Sequence, residues 1–171
     1  MESLISSIIK LFSGLMGLKY GKELIVFVIS LFPVLELRGG LIAASLLGVK
    51  PLNAYIVSII GNLLPIPFIL LFLSKILDLM ENSKVKLFRN ISTWLRKKAD
   101  KNKGKIEKYG YIGLILFVGI PLPGTGAWTG SLVATVLNLD KRKAFLCTLV
   151  GVLMASVIMM FISYGIIDKL I

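Results

Sequence analysis

Apolar residues fall along this chain in long blocks separated by short polar ones. Two blocks, 54–74 and 144–167, run for 21 and 24 residues without a charge. About 20 apolar residues rising 1.5 Å each cross a hydrocarbon core ~30 Å thick, so each block predicts a transmembrane helix. Two further apolar blocks are broken. "LFPVLELRGG" at 31–40 lies between uncharged arms at 24–35 and 39–49, and "GIPLPGTGAW" at 119–128 interrupts the 31 uncharged residues 109–139. Proline removes a helix donor and glycine frees the backbone, so neither block forms one straight helix. Arms of 12 and 11 residues in the first block would each reach about 17 Å, near half the hydrocarbon depth. That length predicts re-entrant helical hairpins, whose broken backbone is tolerated at depth only inside protein or beside a water-filled cavity.

The polar segments predict two amphipathic helices. Ile5, Ile8, Ile9, Phe12, Leu15 and Met16 share one face, with serines and Lys10 opposite, which reads as an interfacial helix over 1–20. The Met1-Glu2 start and Lys10 inside the apolar run argue against a signal peptide. Residues 82–108 hold ten Lys/Arg against two acids, and Leu87, Phe88, Ile91, Trp94 and Leu95 form a helical stripe within them. Nucleic-acid binding would use such charge, but apolar spans flank it on both sides. A cytoplasmic helix resting on anionic lipid explains both stripe and charge. The polar stretch 100–105, with Gly104, is expected to be its flexible end.

Sliding the chain by 90 residues brings the two broken blocks into register. Over 24–61 there are ten identities, among them Phe27 with Phe117, Pro33 with Pro123, Gly40 with Gly130 and Gly61 with Gly151. An internal repeat follows, 24–77 and 110–168, each unit a hairpin plus a transmembrane helix. Charge orients it. If both broken blocks crossed fully, Lys141, Arg142 and Lys143 would lie opposite the basic linker, against the positive-inside tendency. With two hairpins, the linker and these three residues are both cytoplasmic, Lys50 is outside, and Lys10, Lys19 and Lys22 are outside too. One span between the units makes the repeats inverted, as in secondary transporters, with the tips meeting near mid-depth.

Composition agrees. Hydrophobic residues make up 56% before the 16 glycines are added, against roughly 45–50% including glycine for a soluble domain. The fold class is therefore an all-α integral membrane protein, one domain over 1–171. No histidine and a single cysteine, Cys147, leave no disulfide and no metal-ligand set. Cys147 reads as a small buried apolar group. Without paired carboxylates in one motif, the chain is not expected to be an enzyme, and no cofactor is expected.

Candidate chemistry sits at the tips. Glu36 and Arg38 are the sole charges between Glu23 and Lys50, and intramembrane charges usually mark pathways. Arg38 can hold an anionic group and Glu36 can exchange a proton; alternatively the two are an ion pair that fastens the tip. Gly39 and Gly40 permit close backbone approach. In the second tip Pro121, Pro123, Gly124 and Gly126 unwind the chain, Thr125 adds a hydroxyl, and Trp128 stands where Arg38 stands. Such a tip can cradle phosphate or coordinate an ion, or it can be a compact corner with Trp128 as filler. Asn62, with Pro65 and Pro67, brings a polar atom and a kink to the first span.

"FPVLELRGGLIAA", "GNLLPIPFIL", the basic linker and "GIPLPGTGAWTGSLVA" closely resemble the bacterial and archaeal family of small multidrug export proteins, over about residues 20 to 168. The paired hairpins are also distantly similar to the DedA/VTT superfamily, associated with lipid-carrier translocation and proton-dependent phenotypes. The second tip lacks the basic residues that flank the corresponding DedA motif. The resemblance implies a multi-pass protein of the bacterial or archaeal inner membrane. Three functions are compatible with the residues: a cation- or proton-coupled transporter or flippase for an amphiphilic, anionic small molecule or lipid; a passive channel or scramblase; and a non-transporting scaffold. Short hairpins in a small chain also predict a homodimer or higher oligomer, with Gly151, Ala155 and Ser156 as candidate contacts.

Overall fold

A computed structural model describes residues 2–166; Met1 and residues 167–171, including the last two positions of the second repeat as drawn above, lie outside the described residues. Every regular element among them is helical: α1 (Glu2–Leu11), a 3₁₀ turn (Ser13–Gly17), α2 (Gly21–Leu31), α3 (Glu36–Leu46), α4 (Pro51–Leu63), α5 (Ile66–Glu81), α6 (Lys86–Gly119), α7 (Ala127–Val136), α8 (Lys141–Met160) and a π-turn (Phe161–Ile166). Two stretches, Pro51–Glu81 and Lys141–Gly165, are long and apolar enough to cross a membrane. The chain divides into two compact units, Met1–Pro65 with Val152–Ile171 and Ile66–Gly151.

In the first unit α2, α3 and α4 pack on one another. Helix α2 stops because Phe32 precedes Pro33 and is forced out of the helical region, to φ −72°, ψ 135°. Helix α3 ends in a Schellman turn. Gly48 takes φ 64°, its N–H donates to Ser45 O (3.0 Å), and Val49 N–H donates to Ala44 O (2.9 Å). Pro51 then opens α4 at a position where its missing N–H costs nothing. The π-turn closes on the same helix end: Ser45 Oγ donates to Ser163 O (2.9 Å), and the Tyr164 hydroxyl to Val49 O (3.0 Å).

Helix α1 belongs to this unit. Ile5 is fully buried with Ile25, Ile29, Leu35 and Ala43, and Ile8, Ile9, Phe12 and Leu15 pack around them. Five residues of the stripe thus pack within this unit, and Met16 stays 38% exposed. Pro65 has no N–H to continue the ladder, and the helical path breaks at Leu64–Pro65 between α4 and α5.

In the second unit α5 packs on α6 and α7, and α6 on α7. Helix α6 contains both the basic linker and the first arm of the second hairpin, separated by a break at Gly110 (φ 58°, ψ −135°). Residues 100–105, expected to be flexible, are helical; a single glycine within strong helix formers costs only ~1 kcal/mol. The linker is tied to α5 by Arg96, which pairs with Asp78 (2.7 Å) and Glu81 (3.1 Å), and by Ser92 Oγ donating to Leu77 O (3.2 Å). Leu87 and Trp94 of the stripe remain 62% and 60% exposed.

Local geometry recurs at the 90-residue offset. Asn138 takes φ 53° as Gly48 takes φ 64°. Its N–H donates to Thr135 O (3.1 Å) and Leu139 N–H to Ala134 O (3.0 Å), the same Schellman turn. Gly61 and Gly151 each lie against a carbonyl of the preceding hairpin arm, where an added Cβ would stand 2.8 Å from Phe27 O and 2.9 Å from Ile115 O. The base of each hairpin is tied to the next helix as well. Asn53 donates to Glu23 (3.3 Å) in one unit, and the Lys143 ammonium sits 5.9 Å over the Tyr111 ring in the other.

Candidate functional site

Glu36 is the first residue of α3 and lies in the turn that Pro33 enforces. Its N–H donates to Phe32 O (2.9 Å), its backbone has φ 52°, and 4% of its surface is exposed. Left-handed backbone at a non-glycine residue costs of order 1–3 kcal/mol, and such residues gather at functional sites. The 90-residue offset sharpens the point, since the matching position is Gly126, also at positive φ (122°). Glycine takes that conformation without steric cost. The first tip therefore carries a carboxylate where the second carries the residue best suited to the backbone.

Arg38, two residues on, is half-buried. Gly39 and Gly40 are both buried, for different reasons. A Cβ on Gly39 would stand 2.6 Å from Leu35 Cβ, within the turn itself; on Gly40 it would collide with Ser30 Oγ and stand 3.0 Å from Ser58 Oγ. Gly40 thus lets α2 and α4 bring their serines against α3. Ser30 spends its hydroxyl on Val26 O (2.8 Å). Ser58 Oγ and both amide atoms of Asn62 are fully buried and have no hydrogen-bond partner among the described residues. Because α4 runs antiparallel to α3 and Ser58 is level with Gly40, Asn62 is one turn nearer the tip, level with Glu36. Buried polar atoms are nearly always paired, and here an amide donor and acceptor stand one helical turn from an equally unpartnered hydroxyl. Ser58 was missed in the sequence; its i, i+4 spacing from Asn62 on one helix face was the available signal.

The second tip is built differently. Gly124 (φ 81°) and Gly126 turn the chain, and Pro121 and Pro123 prevent helix between them. Thr125 Oγ donates to the loop's own carbonyls, 2.7 Å from Leu122 O and 3.0 Å from Ile120 O. That hydroxyl stabilises the corner. Trp128 is half-buried on the first turn of α7. Beside the loop is a cavity of about 250 Å³ lined by Tyr109, Leu116, Phe117, Ile120, Leu122 and Thr125, an apolar surface with few polar atoms. Residues 36–40 and Asn62 belong to the first unit, and 121–128 to the second.

The contacts suggested for oligomerisation are used within the chain. The space a Gly151 side chain would need is filled by Val118, 2.6 Å from the Cβ position, and by the Ile115 carbonyl, while Ala155 and Ser156 are 1% and 0% exposed. Small residues allow close helix approach whether the neighbour is another chain or another helix of the same one. Here it is the latter.

No curated protein and no solved structure matches the chain. The family described as "Putative small multi-drug export protein" matches residues 36–158, from the strained glutamate of the first tip nearly to the end of α8. That span exceeds two thirds of the sequence, and with its two membrane-length apolar helices the chain belongs to this small multidrug export family of membrane proteins.

Proposed function

We infer that the protein is a secondary transporter or flippase for an amphiphilic small molecule or lipid, with Arg38 holding an anionic group and Glu36 coupling movement to a proton or another cation. The observation that carries this reading is Glu36 itself: a carboxylate 4% exposed and in left-handed backbone, where the matching position is glycine. Conformational strain at an intramembrane charge is hard to explain by packing alone. Uptake into proteoliposomes with and without a pH gradient tests it. Gradient-driven accumulation is expected; equal flux in both conditions would make the protein a passive scramblase or channel, and no flux of any amphiphile would make it a scaffold.

The helix lengths support re-entrant hairpins. Helices α2 and α3 have 11 residues each, and α7 has 10, so each reaches about 15–17 Å, half a bilayer core. The recurrence at 90 residues supports a repeat, and the single long span Pro51–Glu81 between its copies supports inversion. With Cys147 replaced, single cysteines at positions 50 and 142 are expected to label from opposite sides of the membrane, with 142 cytoplasmic. Labelling from one side would remove the inverted arrangement. The distant similarity to DedA/VTT proteins is part of the same proposal.

Both tips leave apolar residues open, Val34 at 75% and Leu122 at 53%, beside backbone that lipid cannot satisfy. This supports a homodimer or higher oligomer. Light scattering in native-lipid nanodiscs is expected to give at least twice the 18.8 kDa chain mass; an active monomer there would refute it.

A further inference from the structure

The second unit carries a groove that the transport reading does not use. Pro67, Leu70 and Leu71 of α5 face Phe145 and Leu146 of α8 across about 390 Å³, and Lys141 and Arg142 stand at one end. The walls are almost wholly apolar, and the two charged groups are both cations. Helix geometry sets the depth order: Phe145 and Leu146 lie one turn, about 6 Å, along α8 from Lys141 and Arg142. A ligand filling this groove has an anionic head and an aliphatic tail that begins within one helical turn of it.

The same end of α8 is rigidly held. Asp140 Oδ1 caps the first turn by accepting from Lys143 N–H (2.9 Å), and the Tyr111 hydroxyl accepts from Asp140 N–H (3.3 Å). Asp140 is thus committed to the helix start, and Lys143 leans over Tyr111. Lys141 and Arg142 are both exposed, Leu146 is 58% and Leu71 47% exposed, so the groove opens to the surface along its length. An Arg next to a Lys suits a phosphate, the guanidinium supplying two directed donors and the ammonium a point charge.

We propose that this groove is a resident site for one anionic phospholipid, its phosphate held by Lys141 and Arg142 and one acyl chain lying along Pro67, Leu71, Phe145 and Leu146. The occupant is a lipid rather than a free anion because the cavity wall below the cations is apolar, and an acyl chain fills that wall by packing where a free anion leaves it bare. It is an anionic lipid because both head-end residues are cations. Zwitterionic lipid would set its own ammonium against them.

The test uses the full chain purified in a neutral detergent, with thermal unfolding and native mass spectrometry as readouts. Phosphatidylglycerol is expected to raise the unfolding temperature by several degrees and to stay bound as one copy per chain, while phosphatidylcholine with the same acyl chains does neither. Lys141→Gln with Arg142→Gln is expected to weaken phosphatidylglycerol binding about 30-fold, each basic side chain carrying the usual weight of one near an anionic surface. Leu71→Trp fills the groove from the other helix and is expected to abolish the stabilisation with both cations intact, so the site stays testable if the charge variant fails to fold. Equal stabilisation by the two lipids, full retention of it in either variant that folds, or reproduction of the whole effect by inorganic phosphate would each overturn the proposal.

Discussion

Glu36→Gln is expected to abolish gradient-driven accumulation in proteoliposomes while the protein remains folded and passive exchange survives. Glutamine keeps the size and hydrogen-bonding shape of glutamate but cannot release or accept the coupling proton at working pH. The strained backbone makes a second substitution informative. Glu36→Gly removes the carboxylate and also relieves the left-handed cost, roughly 1–3 kcal/mol, giving the first tip the residue that the second has at Gly126. Glu36→Gly is therefore expected to unfold at a temperature equal to or above that of Glu36→Gln, with coupling lost in both. A glycine variant that still accumulates substrate against a gradient would sink the assignment. Arg38→Lys is expected to bind an anionic substrate more weakly, since a point charge replaces a planar fork. The exchange of Glu36→Arg with Arg38→Glu distinguishes a mechanism from a fastener. A pure ion pair tolerates reversal, whereas a proton site in left-handed backbone and an anion site two residues on cannot trade places. Transport is expected to stay lost in the exchange.

What the sequence disclosed is what proline, glycine and charge enforce locally. Phe32 leaves the helix because Pro33 follows it, and the chain breaks at Pro65 for want of an N–H; both effects act within a residue or two and are legible in one line of sequence. Gly61 and Gly151, matched at the 90-residue offset, face the same task, close approach to a carbonyl of the preceding helix. The Schellman turns at Gly48 and Asn138 share no residue at the left-handed position, yet both residue types tolerate it.

Other features depend on neighbours that no local rule supplies. The α1 stripe could enter lipid or cover a helix with the same sequence, and Ile5 is fully buried against Ile25, Ile29, Leu35 and Ala43. Gly151, Ala155 and Ser156 could serve an interface inside or between chains for the same reason. The left-handed φ of Glu36 was hidden because glutamate has no preference for it, although its alignment with Gly126 was a usable sign. Thr125 fits either a ligand-cradling tip or a compact corner by composition, and its hydroxyl reaches two carbonyls of its own loop.

Gly61→Leu and Gly151→Leu are each expected to collapse the unit that contains them. At Gly61 a Cβ alone would meet Phe27 O at 2.8 Å and Ser30 Cβ at 3.0 Å; at Gly151 it would meet Val118 Cβ at 2.6 Å and Ile115 O at 2.9 Å. Carbonyl oxygens of a helix cannot swing aside as a side chain can, so the two helices must separate along their length. Overpacking a well-filled site costs roughly 1–3 kcal/mol for added methylenes. A whole isobutyl group at a backbone contact exceeds that range and takes a large share of the 5–15 kcal/mol that typically holds a domain together. Gly17→Leu is the control, since nothing lies within 4 Å of its Cβ position and its φ is not left-handed. Size-exclusion chromatography after graded heating in detergent reads all three. The Gly61 and Gly151 variants are expected to aggregate well below the wild-type temperature and the Gly17 variant at it. Wild-type stability in either of the first two would mean that the matched glycines do not hold the helices together.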